Sequence, residues 1–174
     1  MLHSMIDETK LQAFVARRRG AQNLGLGMLG GAIGAALGAL AWAAITALTQ
    51  FQIGWMSIGV GFLTGFGVRV FGKGIDKIFG YIGALLSLVG CAAGNVLAAV
   101  MYISAHDHVP FTTLLMRTTP GIAWSILSAT FSPIDLLFYG IALYFGYRYS
   151  FHRITAQELA ALQSEPASEA APAS

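Results

Sequence analysis

The stretch GAQNLGLGMLGGAIGAALGALAWAAITALTQFQIGWMSIGVGFLTGFGV, residues 20–68, decides the fold because its 49 residues include no Asp, Glu, Lys or Arg. As one helix it would be about 74 Å long, more than twice the roughly 30 Å hydrocarbon core of a bilayer. It is therefore expected to fold back as two membrane-crossing helices. The polar, turn-capable residues 49–54 (TQFQIG) are the predicted turn.

The composition of the whole chain points to lipid as its solvent. Of its 174 residues, 56% are hydrophobic and only 10% are charged, whereas about 25% are charged in a typical soluble domain. A second uncharged stretch, 78–105, predicts a third span. A fourth begins at Ser132, where a capping hydroxyl, a proline and an acid follow one another. The fourth span is the weakest, because Arg148 must snorkel to the lipid headgroups.

The sequence therefore predicts an all-α integral membrane protein with four transmembrane helices. The expected organisation is a basic amphipathic N-terminal helix over 1–22, a membrane domain over 23–151, and a short helix with a disordered tail over 152–174. The spans are placed at about 24–48, 54–71, 78–103 and 133–151, with an outer loop over 104–132. Within that loop the apolar run 121–131 is too short to cross, so we predict a re-entrant or interfacial segment. A fifth span is the alternative, but it would move Arg148 to the outer side.

Basic residues predict the orientation. Nine lie before span one, between spans two and three, or after span four, and one, Arg117, lies in the outer loop. This positive-inside bias places both chain ends in the cytoplasm of a bacterium, with the protein in the inner membrane. The nine are Lys10, Arg17, Arg18, Arg19, Arg69, Lys73, Lys77, Arg148 and Arg153.

Glycines are the main sequence signal for helix packing. Eighteen of the 21 lie between residues 20 and 94, and small residues four apart allow close backbone approach in lipid, where little hydrophobic force joins helices. The predicted packing residues are Gly30, Gly34 and Gly38 in span one, Gly61 and Gly65 in span two, and Gly90 and Gly94 in span three. They predict either a tight bundle within one chain or a homo-oligomer, since three such grooves exceed what one small bundle obviously needs.

A run of motifs within 41–95 resembles a known sequence pattern. The motifs are QIGWMSIGVGF at 52–62, GFGVR at 65–69, GKG at 72–74 and GYIGA at 80–84, with Trp42 before them. They resemble a glycine-rich transmembrane motif of small, uncharacterised bacterial multi-span membrane proteins, some of which carry a zinc ribbon or another soluble module. The resemblance covers about a third of the chain and implies no activity or site residues.

Few polar residues offer chemistry. Ser87, Cys91 and Asn95 share one face of span three, where they predict hydrogen bonds between helices, or alternatively a polar conduit. His106, Asp107 and His108 at the outer end of span three are the one candidate metal-binding cluster, although a solvated loop is the simpler interpretation. We expect no cofactor and no nucleic-acid partner.

The sequence favours a non-enzymatic inner-membrane protein that acts through helix packing. Its expected partners are membrane lipids and either a second copy of itself or another membrane protein of an envelope assembly. The alternative is an oligomeric pore or small-solute transporter lined by glycine-rich spans or by a re-entrant outer segment. An intramembrane enzyme with an outer-loop metal site comes third.

Overall fold

The computed structural model describes residues 8–49, 54–152, 154–158 and 160, and within these residues the secondary structure is helical, with no strand. The seven principal helices are α1 (Glu8–Gly20), α2 (Leu24–Thr49), α3 (Met56–Gly72), α4 (Lys77–Asp107), α5 (Phe111–Arg117), α6 (Pro120–Thr130) and α7 (Pro133–Tyr149). The expectation of an all-α chain is therefore confirmed over this part. The predicted disorder of the C-terminal tail and the first turn of the N-terminal helix concern residues outside it.

Helices α2, α3, α4 and α7 occupy the four segments expected to be spans. Helices α2 and α4 have 26 and 31 residues and are about 39 and 47 Å long, so both are long and apolar enough to cross a membrane. Helices α3 and α7 have only 17 residues each, about 26 Å. Length and composition thus establish two candidate spans, or three if α6 and α7 form one broken span.

The four long helices form a bundle with a shared middle pair. Helix α2 packs against α3 and α4, α7 packs against the same two helices, and α3 also packs against α4. Within the described chain, α2 and α7 do not meet. Helices α3 and α4 therefore separate α2 from α7, and each carries two packed faces.

The interior of the bundle contains small polar side chains beside apolar ones, whereas large apolar side chains cover its outside. Ser57, Thr64 and Ser87 are completely buried, whereas Leu85 and Leu136 are 63% and 65% exposed. Large apolar side chains on the outer faces of all four helices are stable only where lipid replaces water. This distribution agrees with a membrane protein.

The segment between α4 and α7 contains two helices, α5 and α6, each too short to cross a membrane by itself. Helix α6 has 11 residues, about 17 Å, and its direction differs from that of α7 by 113°. Thr119 and Ser132 are the N-cap residues of α6 and α7, each followed by a proline, and the Ser132 N–H donates to Asp135 Oδ2 at 2.8 Å. The bend lies at Phe131 and Ser132, which are extended between the two helices, and α6 by itself is too short to be a fifth span.

Candidate functional site

The glycines of α2 form a close seam with α3. A Cβ on Gly30 would lie 2.5 Å from the Gly67 carbonyl oxygen, and one on Gly38 would lie 2.9 Å from the Val60 Cα. A Cβ on Gly34 would overlap the Leu63 carbonyl oxygen. Since backbone atoms cannot rotate away, each position accepts only glycine without moving the helices.

The predicted glycines of α3 and α4 also meet helices of the same chain. A Cβ on Gly61 would lie 2.6 Å from the Ala142 carbonyl oxygen of α7, and Gly65 lies beside Gly146 of α7 in the same way. A Cβ on Gly90 would lie 2.8 Å from a Val60 methyl of α3 and 3.0 Å from the Ala35 Cβ of α2, and Gly94 faces the Trp42 ring of α2. All seven predicted packing glycines contact helices of the same chain. These glycines therefore do not by themselves indicate an oligomer.

A fourth glycine contact, between α4 and α7, was not predicted. A Cβ on Gly83 would lie 2.5 Å from the Gly146 carbonyl oxygen, and one on Gly146 would lie 2.6 Å from the Gly83 carbonyl oxygen. The signal was present as the small residues Gly83 and Ser87, four apart on α4. Its partner Gly146 also lies in a run of small residues four apart, Ala142, Gly146 and Ser150, and this spacing is typical of a packing face.

Ser87, Cys91 and Asn95 lie together on one buried face of α4, as their spacing predicts. They are 0%, 0% and 2% exposed. The Ser87 hydroxyl donates to the Gly83 carbonyl at 2.6 Å, and Asn95 Nδ2 donates to the Tyr139 hydroxyl of α7 at 3.2 Å. Cys91 belongs to the apolar cluster around Trp42. This face therefore joins helices.

His106, Asp107 and His108 stand where α4 ends. The His106 ring stacks on Tyr102 with the ring centroids 5.6 Å apart. Asp107 is the last residue of α4, and His108 follows in the left-handed region with φ 54°. The part of the chain described here contains no group of three or more His, Cys, Asp or Glu side chains placed to hold a metal ion. The expected metal ligands are thus not brought together: α4 ends at Asp107, and His108 lies beyond it with a left-handed backbone conformation.

A polar network at the opposite end of the bundle joins the start of α2 to the loop between α3 and α4. The Gln22 side chain accepts hydrogen bonds from the backbone N–H groups of Ile75 at 2.8 Å and Asp76 at 3.2 Å. Its amide nitrogen donates to Asp76 Oδ2 at 2.8 Å, and Arg19 forms an ion pair with the same carboxylate at 3.2 Å. The Gln22 side chain therefore joins the loop between α3 and α4 to the short connection between α1 and α2.

The residues after α7 join the same network. The His152 N–H donates to the Gly74 carbonyl at 2.8 Å. Arg69 Nη2 lies 2.9 Å from His152 Nδ1, and since arginine is only a donor, Nδ1 accepts and Nε2 carries the proton. That Nε2 lies 3.0 Å from Glu158 Oε1, which also pairs with Arg18 at 3.2 Å. The N-terminal helix, the 73–76 loop and the C-terminal segment thus meet at one end.

The Glu158 carboxylate accepts hydrogen bonds from its own turn and from His152. The hydrogen bond from the Thr155 backbone N–H, followed by that from His152, lowers the pKa of the Glu158 carboxyl from 4.5 to about 2. Thr155 and Glu158 form the reciprocal hydrogen bonds of a capping box. The carboxylate is therefore charged at neutral pH and fastens the C-terminal turn to the bundle.

Comparisons with protein-family models, with curated proteins and with solved structures gave no match. The resemblance to small bacterial multi-span proteins stays a prediction. The arrangement of the described residues is a helical bundle with glycine seams inside, apolar faces outside and a basic, hydrogen-bonded end. These features alone carry the functional argument.

Proposed function

We propose that this chain is a non-enzymatic protein of the bacterial inner membrane that acts by packing against a second copy of itself or another membrane protein. In this proposal α2, α3, α4 and α7 each cross the bilayer, and both chain ends are cytoplasmic. The support is that α1, the 73–76 loop, His152 and Glu158 share one end of the bundle. Most of the basic residues belong to this end, as the positive-inside rule requires of a cytoplasmic face.

One observation carries the packing proposal: an apolar groove on the outside of the bundle between α3 and α7. It has a volume of about 550 Å³ and is lined by Ile58, Leu136, Leu137, Gly140, Ile141, Tyr144 and Phe145. A Cβ on Gly140 would meet no atom within 4 Å. The glycines between the helices are covered by a neighbouring helix, but Gly140 is open at the surface. A helix of another molecule could therefore approach α7 closely at Gly140.

The test is the assembly state of the protein with this groove filled. Gly140→Leu places a large side chain in the groove, and its Cβ meets no other atom of the chain within 4 Å. Gly59→Leu is the matched control, because its Cβ also meets nothing within 4 Å and Gly59 does not line the groove. Native mass spectrometry of protein released from nanodiscs measures the mass of each complex.

We expect the wild-type protein and Gly59→Leu to show a complex larger than the monomer. Gly140→Leu should weaken that complex by about 5- to 150-fold, since overpacking costs about 1–3 kcal/mol. A wild-type monomer with no co-purifying protein, or equal assembly of the two variants, would refute the proposal.

For the alternative of an oligomeric pore or transporter we expect the path to run between copies, because small residues bring α2, α3, α4 and α7 into close contact. Flux assays in liposomes separate the two functions. Assembly without ion or solute flux supports the packing function, and flux that Gly140→Leu abolishes supports the pore.

A further inference from the structure

A second opening lies on the bundle surface, at the end away from the basic network. It is a cleft of about 450 Å³ lined by Thr46, Asn95, Ala98, Ala99, Tyr102, Ile103 and Thr130. The α4 residues 95, 98, 99 and 102 recur at helical spacing and form one wall, α2 contributes Thr46, and the end of α6 contributes Thr130. Its volume falls in the range of small-ligand sites, about 300–1,000 Å³.

One polar group in this cleft lacks a partner. Thr46 is 6% exposed, and its hydroxyl has no hydrogen-bond partner among the described residues. Hydroxyls in these helices ordinarily bond to the carbonyl four residues earlier, as Thr64 does to Val60 at 2.7 Å and Thr130 does to Ile126 at 2.8 Å. A buried hydroxyl without a partner costs about 1–3 kcal/mol, so a ligand that accepts its hydrogen bond recovers that loss.

A second donor lies one turn deeper on the same face of α2. The indole N–H of Trp42 is buried and has no acceptor in the described chain, and an indole nitrogen can only donate. Trp42 does not line the cleft, so the Thr46 hydroxyl is the group that can donate to a ligand, which favours a ligand with a hydrogen-bond acceptor. A carbonyl oxygen is such an acceptor, whereas an ammonium group is not.

The lining also restricts the charge of the ligand. None of the seven residues is charged, so a phosphate would find no cation and an amine no carboxylate. Most of the surface is alkyl or aromatic, which suits acyl chains. We propose that this cleft binds the uncharged, carbonyl-bearing portion of a neutral lipid, with the Thr46 hydroxyl donating to the carbonyl. This site is separate from the α3–α7 groove and does not depend on it.

Photochemical labelling in nanodiscs tests the site. The probe is a diacylglycerol with a diazirine beside its ester carbonyl and an alkyne tag, present in trace amount among phospholipids. A phosphatidylglycerol with the same diazirine is the comparison probe. Mass spectrometry of the digested protein then locates the label.

The variants separate hydrogen bonding from shape. Thr46→Val removes the hydroxyl and keeps the side-chain volume, and Ala99→Leu fills the cleft without removing a polar group. Thr64→Val is the matched control, since Thr64 is equally a buried threonine but bonds to Val60 and does not line the cleft. Melting temperatures of all three variants are measured in the same nanodiscs.

We expect the diacylglycerol probe to label wild-type protein at residues 95–103, in competition with unlabelled diacylglycerol. Thr46→Val should lower labelling by about 2- to 10-fold, and Ala99→Leu should abolish it, with Thr64→Val unchanged. Undiminished labelling of Thr46→Val and Ala99→Leu would overturn the proposal. Equal labelling of these residues by phosphatidylglycerol would overturn it as well, because the site would then not select for an uncharged lipid.

Discussion

Gly61→Ala is expected to destabilise the bundle through a single added methyl group. In the wild-type structure that Cβ would lie 2.6 Å from the Ala142 carbonyl oxygen and 3.0 Å from the Ala142 Cα. Ordinary contacts of a Cβ begin near 3.4 Å, so α3 and α7 must separate locally by about 0.8 Å. Both opposing atoms belong to the backbone and cannot change rotamer. The expected loss is therefore about 1–3 kcal/mol in the free energy of unfolding.

Gly59→Ala provides the control for this prediction within the same helix. Its Cβ would meet no atom within 4 Å, and alanine exceeds glycine in helix propensity by up to about 1 kcal/mol. Unfolding in detergent micelles by added dodecyl sulfate, followed by circular dichroism, gives the free energy for both variants. We expect Gly61→Ala to unfold at lower dodecyl sulfate than wild type, and Gly59→Ala at the same or higher. Equal stability of the two variants would refute the assignment of Gly61 to the α3–α7 seam.

Three further predictions concern the polar contacts. Gln22→Ala should speed hydrogen exchange at the Ile75 amide by about tenfold, because that N–H loses its acceptor. An unchanged exchange rate would show that the Gln22 side chain does not protect this amide. Tyr139→Phe removes the hydroxyl that accepts from Asn95, and we expect a loss of about 0.6 kcal/mol in the same unfolding assay, with a larger loss marking a wider role for this hydroxyl. The lowered pKa of Glu158, about 2, means that its contribution is complete above pH 4.5 and disappears as pH falls towards 2. Protease cleavage after α7 should accelerate over that interval in wild type but not in Glu158→Gln, and identical pH profiles would contradict the anchor.

Helix positions could be predicted from the sequence because they depend on local signals. The uncharged run 20–68 exceeds one span, which implies a turn, and the structure begins α2 at Leu24 and ends α3 at Gly72. The start of α7 followed from the Ser132 cap, the proline after it and the acid Asp135. Each signal lies within a few residues of the boundary that it determines.

The partners of the glycines could not be predicted in the same way. Small residues spaced four apart show which face of a helix allows close approach. In lipid, however, such a face can pack against any neighbouring helix, from the same chain or from another. Gly30 therefore indicated close packing without indicating Gly67. The contact between Gly83 and Gly146 was not predicted, because the small residues Ala142, Gly146 and Ser150 recur every four positions without indicating which helix they meet.

The polar network at the basic end also left no local signal. Gln22 and Asp76 are separated by 54 residues, and only the return of α3 beside α2 brings them together. The cluster at 106–108 shows the opposite case, in which residues adjacent in sequence diverge because the chain enters the left-handed region at His108. Distance along the chain therefore predicted neither the contact between Gln22 and Asp76 nor the separation of His106 from His108.

The central claim is a bundle of four crossings with one basic, cytoplasmic end, and the accessibility of single cysteines tests it most directly. In a Cys91→Ala background, a cysteine is introduced singly at each of five positions and treated with a membrane-impermeant thiol reagent, from outside in spheroplasts and from the cytoplasmic side in inverted vesicles. The positions are Gly20, Lys73 and Gln157 at the basic end, and Asp107 and Ser128 at the other. The account predicts that the first three react only in inverted vesicles and the last two only in spheroplasts. Reaction of Gly20 and Lys73 from opposite sides, or of Lys73 and Asp107 from the same side, would contradict it.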